Sequence, residues 1–328
     1  MSLAEKTLVC SDDNIDDLRR RYPDGLRFVV GDTHGEAATL KALMDKIKFD
    51  PGKDYVYFVG DYNGGGYVRA LLEYVAAYYQ PDCSRPGFHM IRGNHERELW
   101  PEYRLENLPD IIVIRETHLT YYIVHAGMIR PVFGLINADM EKHPDQKIFA
   151  YKLSPECVDY DAPLRQLIWS RNGLYSQRSR WRNWPAEEAL LQNRACIIHG
   201  HSPYCFFKHE MYYSYGEQNL FWQNQHIFFS ESLQSFNIDS NVKGRYANGE
   251  GHRSLSCVCL EGIEEIAAKN GGKLTRQGVK DAPNFVFSAR HRYDSYIGEP
   301  GDIRTVTTAA PEAKRIILDE NGNPVIVE

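Results

Sequence analysis

LRFVVGDTHGEAATLKALMDKI, residues 26–47, sets the architecture of the chain. Leu26–Val30 is a β-branched apolar run and reads as a strand, and Glu36–Ile47 reads as a helix. Between them lies GDTHG (31–35), a Gly-bounded polar turn holding an aspartate and a histidine. A strand that hands over to a helix through such a turn is the repeating unit of layered α/β folds.

The unit recurs downstream. Tyr55–Val59 reads as a strand that enters GDYNGGG (60–66), followed by a helix over Tyr67–Tyr79; Phe88–Ile91 enters RGNHE (92–96), followed by helical Arg97–Leu108. Further on, Leu119–Val124 runs into HAG (125–127) and Ala195–Ile198 into HGHSP (199–203). Asp, His and Asn thus collect at the carboxyl ends of strands, where open α/β sheets bind their ligands. Residues 128–194 read as mainly helical and irregular, with a helix starting near Pro185, and form the expected substrate-facing insertion. HIFFS, SFNID and SLSCVCLE, within 226–260, read as strands of a second sheet. The expected fold class is α/β, a two-sheet β-sandwich core flanked by helices.

Composition narrows the function. The chain has 328 residues, a net charge of −6 and a pI near 6.1. That balance argues against a sequence-independent grip on nucleic acid, which depends on many Lys and Arg contacts to phosphate. No run of 18 apolar residues is present, and Glu5, Lys6 and the acids at 12–17 break up any secretory-type apolar core, so a cytoplasmic protein without membrane association is expected. Seven cysteines, never spaced C-x-x-C, suggest core thiols rather than a disulfide framework or a cysteine zinc site.

Asp32, His34, Asp61, Asn94, His125 and His201 together offer the hard carboxylate and imidazole donors that suit two first-row divalent metals. One such residue at one strand end is usually a hydrogen-bonded structural group. Five motifs in order, each after an expected strand, reverse that inference.

Taken in order, GDTHG, GD-x-x-x-x-G, RGNHE, HAG and GH-x-P resemble the signature of the calcineurin-like metallophosphoesterase superfamily, and most of all its phosphoprotein (serine/threonine) phosphatase branch of bacterial type. The resemblance spans about Arg27 to Leu260 and implies an αββα catalytic domain over 1–262, with the helical insertion at about 128–194. Residues 263–328 would be a C-terminal extension ending in a β-hairpin, which the Asn-Gly of RIILDENGNPVIVE signals directly. By the same resemblance Asp32 and His34 hold a first metal, Asp61 bridges both, and Asn94, His125 and His201 hold the second. Manganese is the expected metal, with iron or zinc also compatible. A hydroxide shared by the metals would attack phosphorus in line, with no covalent phosphoenzyme, and His95 matches the family's general acid. Arg171, in LIWSRN, and Arg92 are the candidates for gripping phosphate oxygens.

The chain also departs from that pattern. The family's second motif ends Asp-Arg-Gly, whereas GDYNGGG places Gly64 and Gly65 where the carboxylate and the guanidinium belong. The carboxylate would orient His95, so another acidic group or a different substrate geometry is expected to substitute. SQRSRWRNW (176–184) and the aromatic stretch at 203–222 are read chiefly as a solvated face and insertion packing. His199, two positions before His201 where the strand gives way to the turn, is left outside the ligand set as a residue of the turn edge.

The leading expectation is a phosphatase acting on phosphorylated protein side chains. The alternatives are a hydrolase of dinucleoside polyphosphates or other small phosphate esters, and a catalytically impaired binding protein that keeps the metals for stability.

Overall fold

Short parallel strands joined by helices open the fold. The computed structural model describes residues 7–8, 14–63, 67–98, 105–158, 164, 185–201, 219–222, 227–240, 242, 254–282, 284–290 and 312–327. After β1 (Thr7–Leu8) and α1 (Asn14–Arg21) come β2 (Arg27–Val30), α2 (Ala37–Lys46), β3 (Tyr55–Phe58), α3 (Val68–Ala76), β4 (Gly87–Met90) and α4 (His95–Glu98). Next are β5 (Ile111–Arg115), β6 (Thr120–Val124), α5 (Arg130–Lys142), β7 (Ile148–Leu153), α6 (Pro155–Val158), α7 (Glu187–Gln192) and β8 (Ala195–His199). The chain continues with β9 (Asn219–Trp222), β10 (Ile227–Ser230), β11 (Ser235–Asn237), β12 (Ser254–Cys259), α8 (Leu260–Lys269), α9 (Arg276–Asp281), β13 (Val286–Arg290), β14 (Lys314–Leu318) and β15 (Pro324–Val327).

These strands make two sheets. The smaller runs β13-β12-β2-β3-β4 and the larger β1-β9-β10-β11-β8-β6-β5-β7-β14-β15. Register is what places the site. Val30 pairs with Phe58 and Phe58 with Met90, so the parallel strands β2, β3 and β4 end together and their following turns share one edge. In the larger sheet β6, β8 and β11 are also parallel, with Ile123 opposite Ile198 and His199 opposite Asn237. The two edges meet at His125, whose backbone oxygen accepts from Gly200 N at 2.8 Å within the larger sheet and whose Nδ1 donates to Val59 O, just after β3, at 2.8 Å.

Period-two alternation explains the layering. On β5, Ile112 and Ile114 join the core that holds Phe28, Phe58 and Leu40, while Ile111 and Val113 join a second core with Val132, Phe133 and Ile136 of α5. At β5 the larger sheet is thereby buried on both faces, and each fully buried Phe or Ile contributes about 1.5–3 kcal/mol. On α2, Leu40, Leu43 and Met44 face inward while Lys41 and Asp45 pair outside at 2.8 Å, the amphipathic spacing that makes this stretch a helix.

Three local expectations are corrected. Residues 128–194 contain a strand: in β7, Phe149, Tyr151 and Leu153 are buried and alternate with half-buried neighbours, a period-two signal that a mainly helical reading passed over. The strands within 226–260 do not form one second sheet, because β10 and β11 pair beside β8 while β12 pairs antiparallel with β2. Of the helical stretch expected over Arg97–Leu108, the first two residues belong to α4, residues 99–104 lie outside the described residues, and Leu105–Asn107 form a 3₁₀ turn instead. Residues 263–328 supply β13 to the smaller sheet and the antiparallel pair β14–β15 to the edge of the larger, where β14 runs parallel to β7. No helix among the described residues is long and apolar enough to cross a membrane.

Candidate metal centre

The turn after β2 brings in Asp32 and His34, the turn after β3 brings Asp61, and the turn after β4 brings Asn94 and His95. From the larger sheet, His125 follows β6 and His201 follows β8. His34, Asp61 and His201 all have positive φ, at 45°, 55° and 67°. Non-glycine residues rarely adopt that region, and a cluster of such strain marks a site whose geometry the surrounding structure enforces. Two glycines make room for it. A Cβ on Gly93 would lie 2.5 Å from Asp61 N and 2.8 Å from His125 Cε1, and one on Gly200 would collide with Asp32 Oδ1.

Two donor groups result, one of His34, Asp61 and His95, the other of Asp61, His125 and His201. His125 Nδ1 faces the Val59 carbonyl, which requires a proton on Nδ1 and leaves Nε2 with a lone pair. That Nε2 lies 3.0 Å from Asn94 Oδ1, 3.0 Å from His201 Nδ1 and 3.3 Å from Asp61 Oδ1. Lone pairs facing one another are unfavourable until a cation sits among them. His34 repeats the device: Nδ1 donates to Asn63 O at 2.9 Å, and Nε2 is directed to Asp61 Oδ2 at 4.0 Å. His95 Nε2 lies 3.8 Å from the same oxygen, so Asp61 faces one donor group with each carboxylate oxygen.

Asp32 supplies a further oxygen donor. Its Oδ2 accepts the His201 N–H at 2.9 Å, while Oδ1 is buried and without a hydrogen-bond partner. Burial raises its pKa well above the ordinary carboxylate value, and the charges of Asp239, Asp61 and Glu96 add to the shift. Glu96 is likewise pushed up to about 8, first by burial and then by Asp61. Among the described residues, the side chains that most influence the two carboxylates are other carboxylates. Buried carboxylates at this density require compensating charge, and hard divalent cations with oxygen and imidazole ligands supply it. The residues present therefore fit a two-cation centre.

The sequence reading missed two acids here. Glu96 accepts the backbone N–H groups of Gly93, Asp61 and Tyr62, each at 2.8 Å, and so ties the β3 and β4 turns together. It sits in the RGNHE stretch, beside residues that drew the attention. Asp239 is buried, and its charge is the largest influence of any side chain on Asp32. Its signal was position, because SFNID ends a strand that runs beside β8.

Arg92 is placed differently from expectation. Its Nε and Nη2 bond Asp110 at 3.0 and 2.5 Å, and Nη2 also donates to Leu153 O, so this buried guanidinium anchors the β4 turn to the strands behind it. Arg171, and the stretches 176–184 and 203–218, lie outside the described residues. His199 belongs to neither donor group; it is buried, with its pKa lowered to about 4 by that burial.

Known proteins share parts of this chain. The profile described as "Calcineurin-like phosphoesterase" matches residues 28–205. The chain is similar to the protein named "Bis(5'-nucleosyl)-tetraphosphatase, symmetrical" of Cellvibrio japonicus (strain Ueda107), 27% identical over 149 residues that make up 37% of this chain and 55% of the relative. It thus spans about half the length of the curated relative it matches. Among solved structures, a protein serine/threonine phosphatase from Saccharomyces cerevisiae shares 15% identity at a TM-score of 0.47, covering 86% of this chain and 84% of that one. A cold-active protein-tyrosine phosphatase of a Shewanella species shares 18% identity at a TM-score of 0.41, covering 72% and 77%.

Proposed function

The chain belongs to the calcineurin-like phosphoesterase family, and from that premise we propose that it is a metal-dependent phosphoric ester hydrolase working with two divalent cations on phosphomonoesters. The observation that carries this reading is the approach of His125 Nε2 to Asn94 Oδ1 and His201 Nδ1 at 3.0 Å, with the His125 proton fixed on the far nitrogen. Asp32, His34 and Asp61 would hold one cation, and Asp61, Asn94, His125 and His201 the other. Manganese is the proposed metal, iron and zinc being compatible with the same donors. When bound, such a pair supplies Lewis acidity toward phosphate oxygens and lowers the pKa of water.

The remaining chemistry falls to the protein. His95 Nε2, 3.8 Å from Asp61 Oδ2, stands at the edge of the donor cluster and is the proposed proton donor to the departing oxygen. Its backbone N–H is held by Asp61 Oδ1 at 3.1 Å. Glu96 keeps the two turns in register, and Arg171 remains the proposed cation for the phosphate oxygens.

For substrate we propose phosphorylated protein side chains, in a cytoplasmic setting and without membrane or nucleic-acid binding. A second reading, hydrolysis of dinucleoside polyphosphates, is favoured by the relative whose name states that activity. Rates on a phosphoserine peptide and on diadenosine tetraphosphate, compared at equal metal loading, decide between them. Faster release from the peptide supports the first reading, and faster release from the nucleotide replaces it with the second. Full metal loading with no turnover of either would instead leave a binding protein.

A further inference from the structure

Asn63 is buried to 1% exposure in the turn that follows β3, between the two histidines that face Asp61 Oδ2. Its backbone oxygen accepts from His34 Nδ1 at 2.9 Å, and its side-chain Nδ2 donates to the His95 carbonyl at 2.7 Å. The two imidazoles stand perpendicular with centroids 5.4 Å apart. Asn63 Oδ1, by contrast, is buried with no hydrogen-bond partner among the described residues. An orphaned amide oxygen carries a desolvation cost that an apolar residue of similar size would not incur. Such a cost points to work for the other half of the amide.

That work is visible at His95. This residue opens α4, and the first turn of a helix supplies no intrahelical acceptor for its own leading N–H groups. Instead its peptide groups are held from the neighbouring turn, the N–H by Asp61 Oδ1 at 3.1 Å and the C=O by Asn63 Nδ2 at 2.7 Å. We propose that Asn63 is a positioning residue for His95, steering the ring through the backbone by donating from Nδ2 to the His95 carbonyl. This rests on the phosphatase reading with His95 as the proton donor.

The test uses the full chain loaded with Mn²⁺, comparing Asn63→Ala and Asn63→Asp with the parent on phenyl phosphate and p-nitrophenyl phosphate. Protonation matters for the poor phenoxide leaving group and little for nitrophenolate. Both variants should therefore lose about 10-fold or more in kcat on phenyl phosphate, part of the roughly 10²–10⁴-fold that general acid catalysis supplies. On p-nitrophenyl phosphate the loss should stay below about 3-fold, with KM and metal content unchanged within about 2-fold. Equal losses on both substrates, or lost metal, would mean a merely structural role. Recovery in Asn63→Asp, which keeps the acceptor and lacks the donor, would also overturn the proposal. If the parent hydrolyses neither ester, it is the phosphatase reading that fails. Asn63 is then judged from the ring carbon–proton resonances of the Zn²⁺-loaded protein, with His95 assigned through His95→Gln. The proposal requires the His95 resonance to move in Asn63→Ala while that of distant His118 stays; an unmoved His95 resonance refutes it.

Discussion

Stripping the cations should make the protein lose stability as pH rises, and restoring them should release protons. In the metal-free chain Glu96 is pushed from 4.5 up to about 8, chiefly by burial and then by the charge of Asp61. Asp32 moves the same way under burial, Asp239 and Asp61. Because the folded value lies above the unfolded one, the stability linked to protonated Glu96 is fully present below 4.5 and is lost as pH rises through about 8. At about 1.4 kcal/mol per pH unit for one proton, that window bounds the loss at roughly 5 kcal/mol. The N–H groups of Gly93, Asp61 and Tyr62 oppose it by favouring the charged form. Cations take the place of the protons, so loading near pH 7 should release about one proton from Glu96 and up to about one more from Asp32. Calorimetric titration with Mn²⁺ in two buffers of different ionisation enthalpy counts those protons. Melting curves at about pH 5.5 and about pH 8 should show Mn²⁺ stabilising more at the higher pH. Metal binding with no proton release, together with equal stabilisation at both pH values, would refute the reasoning.

Three substitutions extend the account. His95→Ala should keep both metals while hydrolysis of phenyl phosphate falls about 10²–10⁴-fold, so metal content and kcat are measured on the same sample. Arg92→Ala strands Asp110 in a buried setting and should cost about 3–5 kcal/mol in denaturant unfolding, with KM for any remaining activity little changed. Gly93→Ala places a Cβ 2.5 Å from Asp61 N, and equilibrium dialysis should show metal binding weakened by about 10-fold or more.

The turns were legible because their residue types are rare in combination, and the strands before them because β-branched runs such as Phe28–Val30 have few other uses. Their convergence was not legible locally: the pairing of Ile123 with Ile198 and of Val30 with Cys257 depends on contacts far apart in sequence. β7 was hidden for a similar reason, since IFAYKL alternates over only six residues and its two neighbours, β5 and β14, lie far along the chain on either side, Tyr151 standing against both Ile111 and Lys314. Arg92 shows where motif position misleads. Being next to GNH suggested phosphate, but only the fold reveals Asp110 waiting at hydrogen-bond distance. Glu96 and Asn63 escaped for the opposite reason: their work is done on backbone groups, which leave no mark in a side-chain pattern.

The most direct test of the two-cation centre is p-nitrophenyl phosphate hydrolysis by the chelated protein after Mn²⁺ is added back, run beside Asp61→Asn and with metal content determined on each. The account predicts two metals per chain and restored turnover in the parent, with both lost in the variant. Turnover that is indifferent to chelation, or that survives Asp61→Asn undiminished, would contradict it.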